Sequence, residues 1–147
     1  MSIPADARQA RLARNILDTP LHQACGLELL SSAAGHSEIR FAVNDFSRNV
    51  IGTLHGGITY AMIDVAAFMA LASVMPEGQH GVTVDIQVSV LRAANLGESV
   101  YVRGRVDKVG RTLANLRSEA FVKTPEGERL IATGTVVKAM IPAPYSL

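Results

Sequence analysis

The stretch Asn49-Val50-Ile51-Gly52-Thr53-Leu54-His55-Gly56-Gly57 runs directly into an apolar segment, Ile58 to Met75, that carries one charge, Asp64. The segment predicts a helix over Ile58–Met75, stopped by Pro76-Glu77-Gly78. At about 1.5 Å per residue it is roughly 28 Å long. It is apolar on nearly every side, so it reads as a core helix that other elements must cover. Its start offers no Ser, Thr or Asp as a cap, which leaves glycine in that place as a weaker one. Glycines there also let a second molecule approach the exposed backbone N–H groups.

Downstream of the helix the period becomes two. Val82, Val84, Ile86, Val88 and Val90 alternate with Thr83, Asp85, Gln87 and Ser89. After a turn at Asn95-Leu96-Gly97, Val100, Val102 and Val106 alternate with Tyr101, Arg103, Arg105 and Asp107. Gly110 turns again, and Ala114, Leu116, Ser118, Ala120 and Val122 alternate with charged or polar residues. Thr124-Pro125-Glu126-Gly127 precedes a last strand, Leu130–Ile141. Short turns imply that consecutive strands are antiparallel neighbours. Upstream, Asp6–Leu17 has helical composition, stopped by Thr19-Pro20. Leu21–Ala24 is a short turn of helix, Leu27–Leu30 a strand, Gly35 a turn, and Ile39, Phe41 and Val43 a half-buried strand.

The expected architecture is α+β: one long central helix wrapped by a curved antiparallel sheet of five to six strands. The outer faces of the last three strands are polar, so that side is wet or interfacial. Open sheet edges point to self-association.

At 147 residues the chain has the length of one domain with a substantial core. A net charge of +1 and scattered aromatics with no tryptophan argue against nucleic acid and against an anionic membrane surface. Asp64 alone would cost about 2.5–3.5 kcal/mol at a bilayer centre. The single cysteine, Cys25, excludes an intrachain disulfide and a multi-cysteine metal site, and reads as a small buried hydrophobe. The polar, alanine-rich N-terminus lacks the apolar run of a secretory signal, so a cytoplasmic location is expected.

Chemistry-bearing residues collect around the helix. A carboxylate in an apolar helix must be paired or face a cavity; Asp64 is either bonded to a neighbouring strand or a reactive base or nucleophile. The Gly56 and Gly57 amides stand at a helix N-terminus, where donors and dipole suit a developing oxyanion. Gly56 and Asp64 are about 12 Å apart along the axis. One helix cannot bring both to the same atom. If they cooperate, the second group comes from another subunit, and a twofold dimer supplies it.

The pattern Asn49-x-x-Gly52-x-x-His55-Gly56-Gly57 with Asp64 resembles the signature of the hotdog-fold acyl-CoA thioesterases of the phenylacetate-pathway type. It is especially similar to the branch containing thioesterase superfamily member 2. Gly81-Val82-Thr83-Val84-Asp85, Asn95-Leu96-Gly97-Glu98 and Lys108-Val109-Gly110-Arg111-Thr112-Leu113-Ala114 extend the resemblance over about residues 20 to 140. It implies a hotdog domain over residues 21–147 behind a helical extension, residues 1–20. It also implies hydrolysis of an acyl-CoA thioester to a carboxylic acid and coenzyme A. Asp64 would be base or nucleophile and the Gly56 amide would polarise the carbonyl, while Asn49 and His55 orient the site and Thr83 helps position water. Coenzyme A, as part of the substrate and not a cofactor, would lie along Val90, Leu91 and Arg92 and the turn Lys108, Val109, Gly110, Arg111 and Thr112, with Gly57 beside it. Arg92, Lys108 and Arg111 would meet its phosphates. Tyr60, Ala61, Met62, Phe68 and Met69 are candidates for the acyl pocket. The implied assembly is a homodimer or a dimer of dimers, with no metal. Two other readings are a hotdog enoyl-CoA hydratase or dehydratase, which His55-Gly56-Gly57 with Asp64 fits poorly, and a non-catalytic acyl-CoA-binding domain.

Overall fold

The computed structural model describes residues 6–144; the ends of the two expected spans, residues 1–5 and 145–147, lie outside the described residues. Helix α1 covers Ala7–Leu17, and the Asp6 side chain caps it by accepting from the Gln9 N–H at 2.7 Å. Helix α2, Pro20–Ala24, starts with proline at a position that needs no N–H donor. Strands β1 (Glu28–Ala33) and β2 (His36–Ala42) form a hairpin. Its two turn residues, Ala34 and Gly35, are both left-handed (φ 50° and 78°), matching the twist of the strands.

Helix α3 spans Gly56–Ala72, and strands β3 (Gln79–Val90), β4 (Ser99–Val109), β5 (Leu113–Thr124) and β6 (Gly127–Pro142) follow. The six strands form one sheet in the order β1-β2-β4-β5-β6-β3, with every pairing antiparallel. The helix packs on one face of this sheet, as expected. Met62, Ile63, Ala66, Ala67 and Ala70 are fully buried. Each Met or Ile in that position contributes about 1.5–3 kcal/mol by leaving water.

Three expectations are corrected. First, β3 and β4 are not neighbours: β3 pairs with β6 at the far edge. Residues 91–98 are long enough to cross the end of the sheet, tied down by Leu54 N–H donating to the Ala94 carbonyl at 2.8 Å. Second, the helix begins at Gly56, two residues before the expected start, and ends at Ala72, three residues short of Met75, where the Ser73 hydroxyl donates to the Ala70 carbonyl at 2.7 Å. Third, the even-numbered valines of β3 do not all face inward. A bulge between Thr83 and Asp85 reverses the alternation. Val84 is 58% exposed, whereas Ile86 and Val88 pack on the core.

Small residues let the helix approach the sheet closely. A side chain at Gly104 would overlap the Ala66 carbonyl, and one at Gly134 would overlap Ile63. Three buried serines use the closeness: Ser118, Ser37 and Ser32 donate to the carbonyls of Ile63 (3.0 Å), Ala66 (2.6 Å) and Met69 (2.7 Å). At the helix C-terminal end, Arg8 of α1 donates to the carbonyls of Met75, Pro76 and Gln79, complementing the negative end of the dipole. The outer face of the sheet is polar, with Arg103 between Glu38 and Glu128, and Asp107 between Arg105 and Arg117. Among the described residues no helix is long and apolar enough to cross a membrane.

Candidate active site

His55 caps the helix, in place of the glycine expected there. Its Nδ1 accepts from the Gly57 N–H at 2.9 Å, which leaves the ring proton on Nε2. Of the two helix-terminal amides expected to be open, Gly57's is therefore taken. The Gly56 N–H bonds to none of the described residues, and nothing lies within 4 Å of where a Gly56 side chain would begin. Asn49 shapes the loop that delivers this cap. Its Oδ1 accepts from the N–H groups of Ile51 (3.1 Å) and Thr53 (3.0 Å), and its Nδ2 donates to Thr53 Oγ1 at 2.8 Å. Gly52, at φ 83°, supplies the reversal. Ser47 anchors the same loop, accepting the His55 N–H at 2.8 Å through its carbonyl.

Asp64 is paired. The Thr83 hydroxyl lies 2.8 Å from its Oδ1 and 3.0 Å from its Oδ2, and Lys138 Nζ donates to Oδ1 at 2.9 Å. Lys138 also donates to Thr83 Oγ1 at 2.7 Å, closing a triangle. The lysine side chain is 3% exposed and the Asp64 side chain 35%, so the cation is sealed and the carboxylate reaches the surface. Thr83 and Lys138 are direct cross-strand partners, and the bulge after Thr83 lets it face the helix. Lys138 is absent from the residues picked out by sequence. The available signal was its phase: Gly134, Val136 and Lys138 share the inward face of β6, where a lysine needs a counter-charge.

Gly57, Tyr60, Ala61 and Asp64 follow helical spacing and form the open stripe of α3. Of the residues proposed for an acyl pocket, Met62 and Met69 lie sealed in the core instead, at 0% and 1% exposure. Phe68 is buried under Lys138 and tilts against His80, their ring centroids 5.3 Å apart. His80 Nδ1 is buried and makes no hydrogen bond among the described residues. Burial, reinforced by the nearby cations Lys138 and Arg8, lowers the proton affinity of His80 below the ordinary histidine value. Cys25 is buried, and desolvation raises its thiol pKa, consistent with an inert packing residue.

The expected site residues fall into two groups. A cavity of about 390 Å³ brings together Asn49, Gly56, Val90, Leu91 and Arg92. Arg92 there donates to the Leu130 carbonyl at 2.8 Å. Asp64, Thr83 and Lys138 form the second group. The turn carrying Lys108–Thr112 lies near it, since Ala114 pairs with Lys138 and Met140 N–H donates to the Thr112 carbonyl. Lys108 and Arg111 are exposed. The groups sit at opposite ends of β3: Thr83 to Val90 is about 23 Å along a strand. Within one chain the open amide and the carboxylate do not meet.

Residues 51–128, just over half of the 147-residue chain, match the thioesterase superfamily. The chain belongs to that superfamily. Acyl-coenzyme A thioesterase 13 of Homo sapiens is 38% identical over 88 residues, 60% of this chain and 62% of that protein, so the match spans less than two thirds of the human relative. The Mus musculus protein of the same name is 33% identical over 110 residues, covering 75% of this chain and 76% of its own. The crystal structure of zebra fish thioesterase superfamily member 2 superimposes with a TM-score of 0.76 at 31% identity, covering 88% of this chain and 93% of that one. A helix wrapped by this six-stranded sheet is thus a hotdog fold within the thioesterase superfamily. The superfamily match includes Asp64, Thr83 and the His55–Gly57 cap, and stops short of Lys138.

Proposed function

We propose that this chain hydrolyses acyl-coenzyme A thioesters at a site shared by two copies. The observation that carries the reading is the half-exposed Asp64 carboxylate, held by Thr83 and Lys138, on a chain of the thioesterase superfamily. Acyl-coenzyme A thioesterase 13 is the name its relatives carry, which supports coenzyme A as the leaving group.

The exposed edge of β3 supports the shared site. Val82, Val84 and Val90 are 38%, 58% and 53% exposed there. Antiparallel pairing of this edge with the same edge of a second copy, centred between Ile86 and Gln87, sets Thr83 opposite the second copy's Val90. Each Asp64 then stands beside the other copy's Gly56 amide and its cavity. Groups held apart within one chain thereby come together between two.

In this site Asp64 acts as general base. A water donates one hydrogen to Asp64 Oδ2 and the other to a free lone pair of Thr83 Oγ1. Its oxygen adds to the thioester carbonyl carbon as Asp64 takes a proton. The carbonyl oxygen, now negative, is held by the Gly56 N–H at the positive end of the helix. The C–S bond breaks, the leaving thiolate takes the proton held by Asp64, which restores the carboxylate, and the acid is released.

Asp64→Asn is expected to lower kcat by at least about a hundredfold, read as thiol release from a panel of acyl-CoAs of graded length. Undiminished hydrolysis sinks the assignment. The shared site has a separate test. Gly56→Pro removes the amide donor at the first helical position, where proline is tolerated. Mixing inactive Gly56→Pro with inactive Asp64→Asn should restore about a quarter of wild-type activity, because half the dimers then hold one intact site. No restoration after subunit exchange would refute sharing.

A further inference from the structure

We propose that Lys138 is a positioning residue for the reaction, acting through Asp64 and Thr83 without touching substrate. This rests on the hydrolytic reading above. The inference comes from counting lone pairs in the triangle. Thr83 has one hydroxyl proton. Lys138 donates to Thr83 Oγ1 at 2.7 Å, so the threonine proton must point away from the ammonium, toward the Asp64 carboxylate 2.8–3.0 Å away. Lys138 also donates to Asp64 Oδ1 at 2.9 Å. Oδ1 therefore carries a full cationic hydrogen bond, whereas Oδ2 has only a share of the Thr83 proton.

Two acceptor sites stay open on adjacent atoms: Oδ2 of Asp64 and the remaining lone pair of Thr83. A water meeting that pair must donate both hydrogens, which turns its own lone pairs outward. Without the ammonium the triangle loses its polarity. Thr83 is then free to donate to water, and Asp64 is free to offer either oxygen.

The surroundings hold Lys138 to this geometry. It is 3% exposed, and its stem lies in the space left by Gly81, where a side chain would come within 3.3 Å of Lys138 Cδ. Its ammonium sits 5.4 Å from the Phe68 ring centroid. Register supplies the rest, because Thr83 and Lys138 are opposed across β3 and β6.

The test compares Lys138→Met, which keeps the length of the stem, with Thr83→Val and the double variant, by steady-state thiol release and thermal unfolding. Lys138→Met should lower kcat by at least about tenfold with KM within about twofold. In the Thr83→Val background the same change should cost less than about threefold, because the hydroxyl that the ammonium orients is gone. A residue that only packs the core would cost the same in both backgrounds. Equal costs, or a kcat within twofold of wild type in Lys138→Met, overturn the proposal. If Lys138→Met does not fold, Lys138→Gln carries the same comparison. Wild-type protein that releases no thiol from any acyl-CoA overturns the hydrolytic reading itself. Hydrolysis that is intact in wild type but insensitive to Lys138 removes only this residue's role.

Discussion

Two polar clusters hold the same helix, and they are built on opposite plans. On the sheet side of α3, the hydroxyls of Ser32, Ser37 and Ser118 donate to backbone carbonyls. Every group there is neutral and sealed, with serine exposures of 1%, 4% and 2%. On the β3 side, Asp64, Thr83 and Lys138 carry a full ion pair, and the carboxylate is left partly open. The first cluster is closed to solvent and serves adhesion between helix and sheet. The second keeps an acceptor at the surface, where the proposed hydrolysis would use it. The helix thus has polar partners of two kinds, and access to solvent tells them apart.

That contrast can be broken from either side. The largest effect on folding is expected from Gly104→Val, which pushes a branched side chain into the Ala66 carbonyl and parts helix from sheet. A loss of about 3 kcal/mol or more, or no soluble fold, is expected by urea unfolding. Asp64→Asn, by contrast, should remove activity while the chain still folds, read by thiol release alongside a melting curve. Ser37→Ala should cost about 1 kcal/mol and leave kcat unchanged, since Ala66 keeps its place in the helical hydrogen bonding. A drop in kcat there would mean that the two clusters are coupled.

The smallest expected effect is a pH dependence at His80. Its proton affinity is lowered in the folded state by burial and by Lys138 and Arg8, from an ordinary value of 6.5. The unfolded chain therefore binds more protons as pH falls through that value. The stabilisation is fully present above it and declines below it. Chemical denaturation from pH 8 to pH 5 should show the decline, and His80→Gln should flatten it. An unchanged slope in the variant would assign the acid sensitivity elsewhere.

Much of this was legible in the chain. The apolar run with one charge marked the core helix, and alternation in β4 and β5 placed Val100, Val102, Leu116 and Ala120 inward, all buried in the structure. The double-glycine signature pointed to the superfamily. Other features were not legible. The cap by His55 is one, because histidine is not a common capping residue. The bulge after Thr83 has no proline or glycine to announce it, so period-two counting assigned Val82 and Val84 to the wrong face. The burial of Lys138 is not legible either, because a single lysine in a strand usually points to solvent.

The sequence by itself determined which segments are helix or strand, which residues are apolar enough to be core, and that one carboxylate had to find a partner. Those properties depend on neighbours within a few positions along the chain. Only the tertiary structure decided which partner Asp64 has, that β3 lies at an edge beside β6, and that the open amide shares a cavity with Val90, Leu91 and Arg92. Each of these depends on register between segments far apart in sequence. Register is set by the summed packing of the whole sheet around the helix, not by any local pattern.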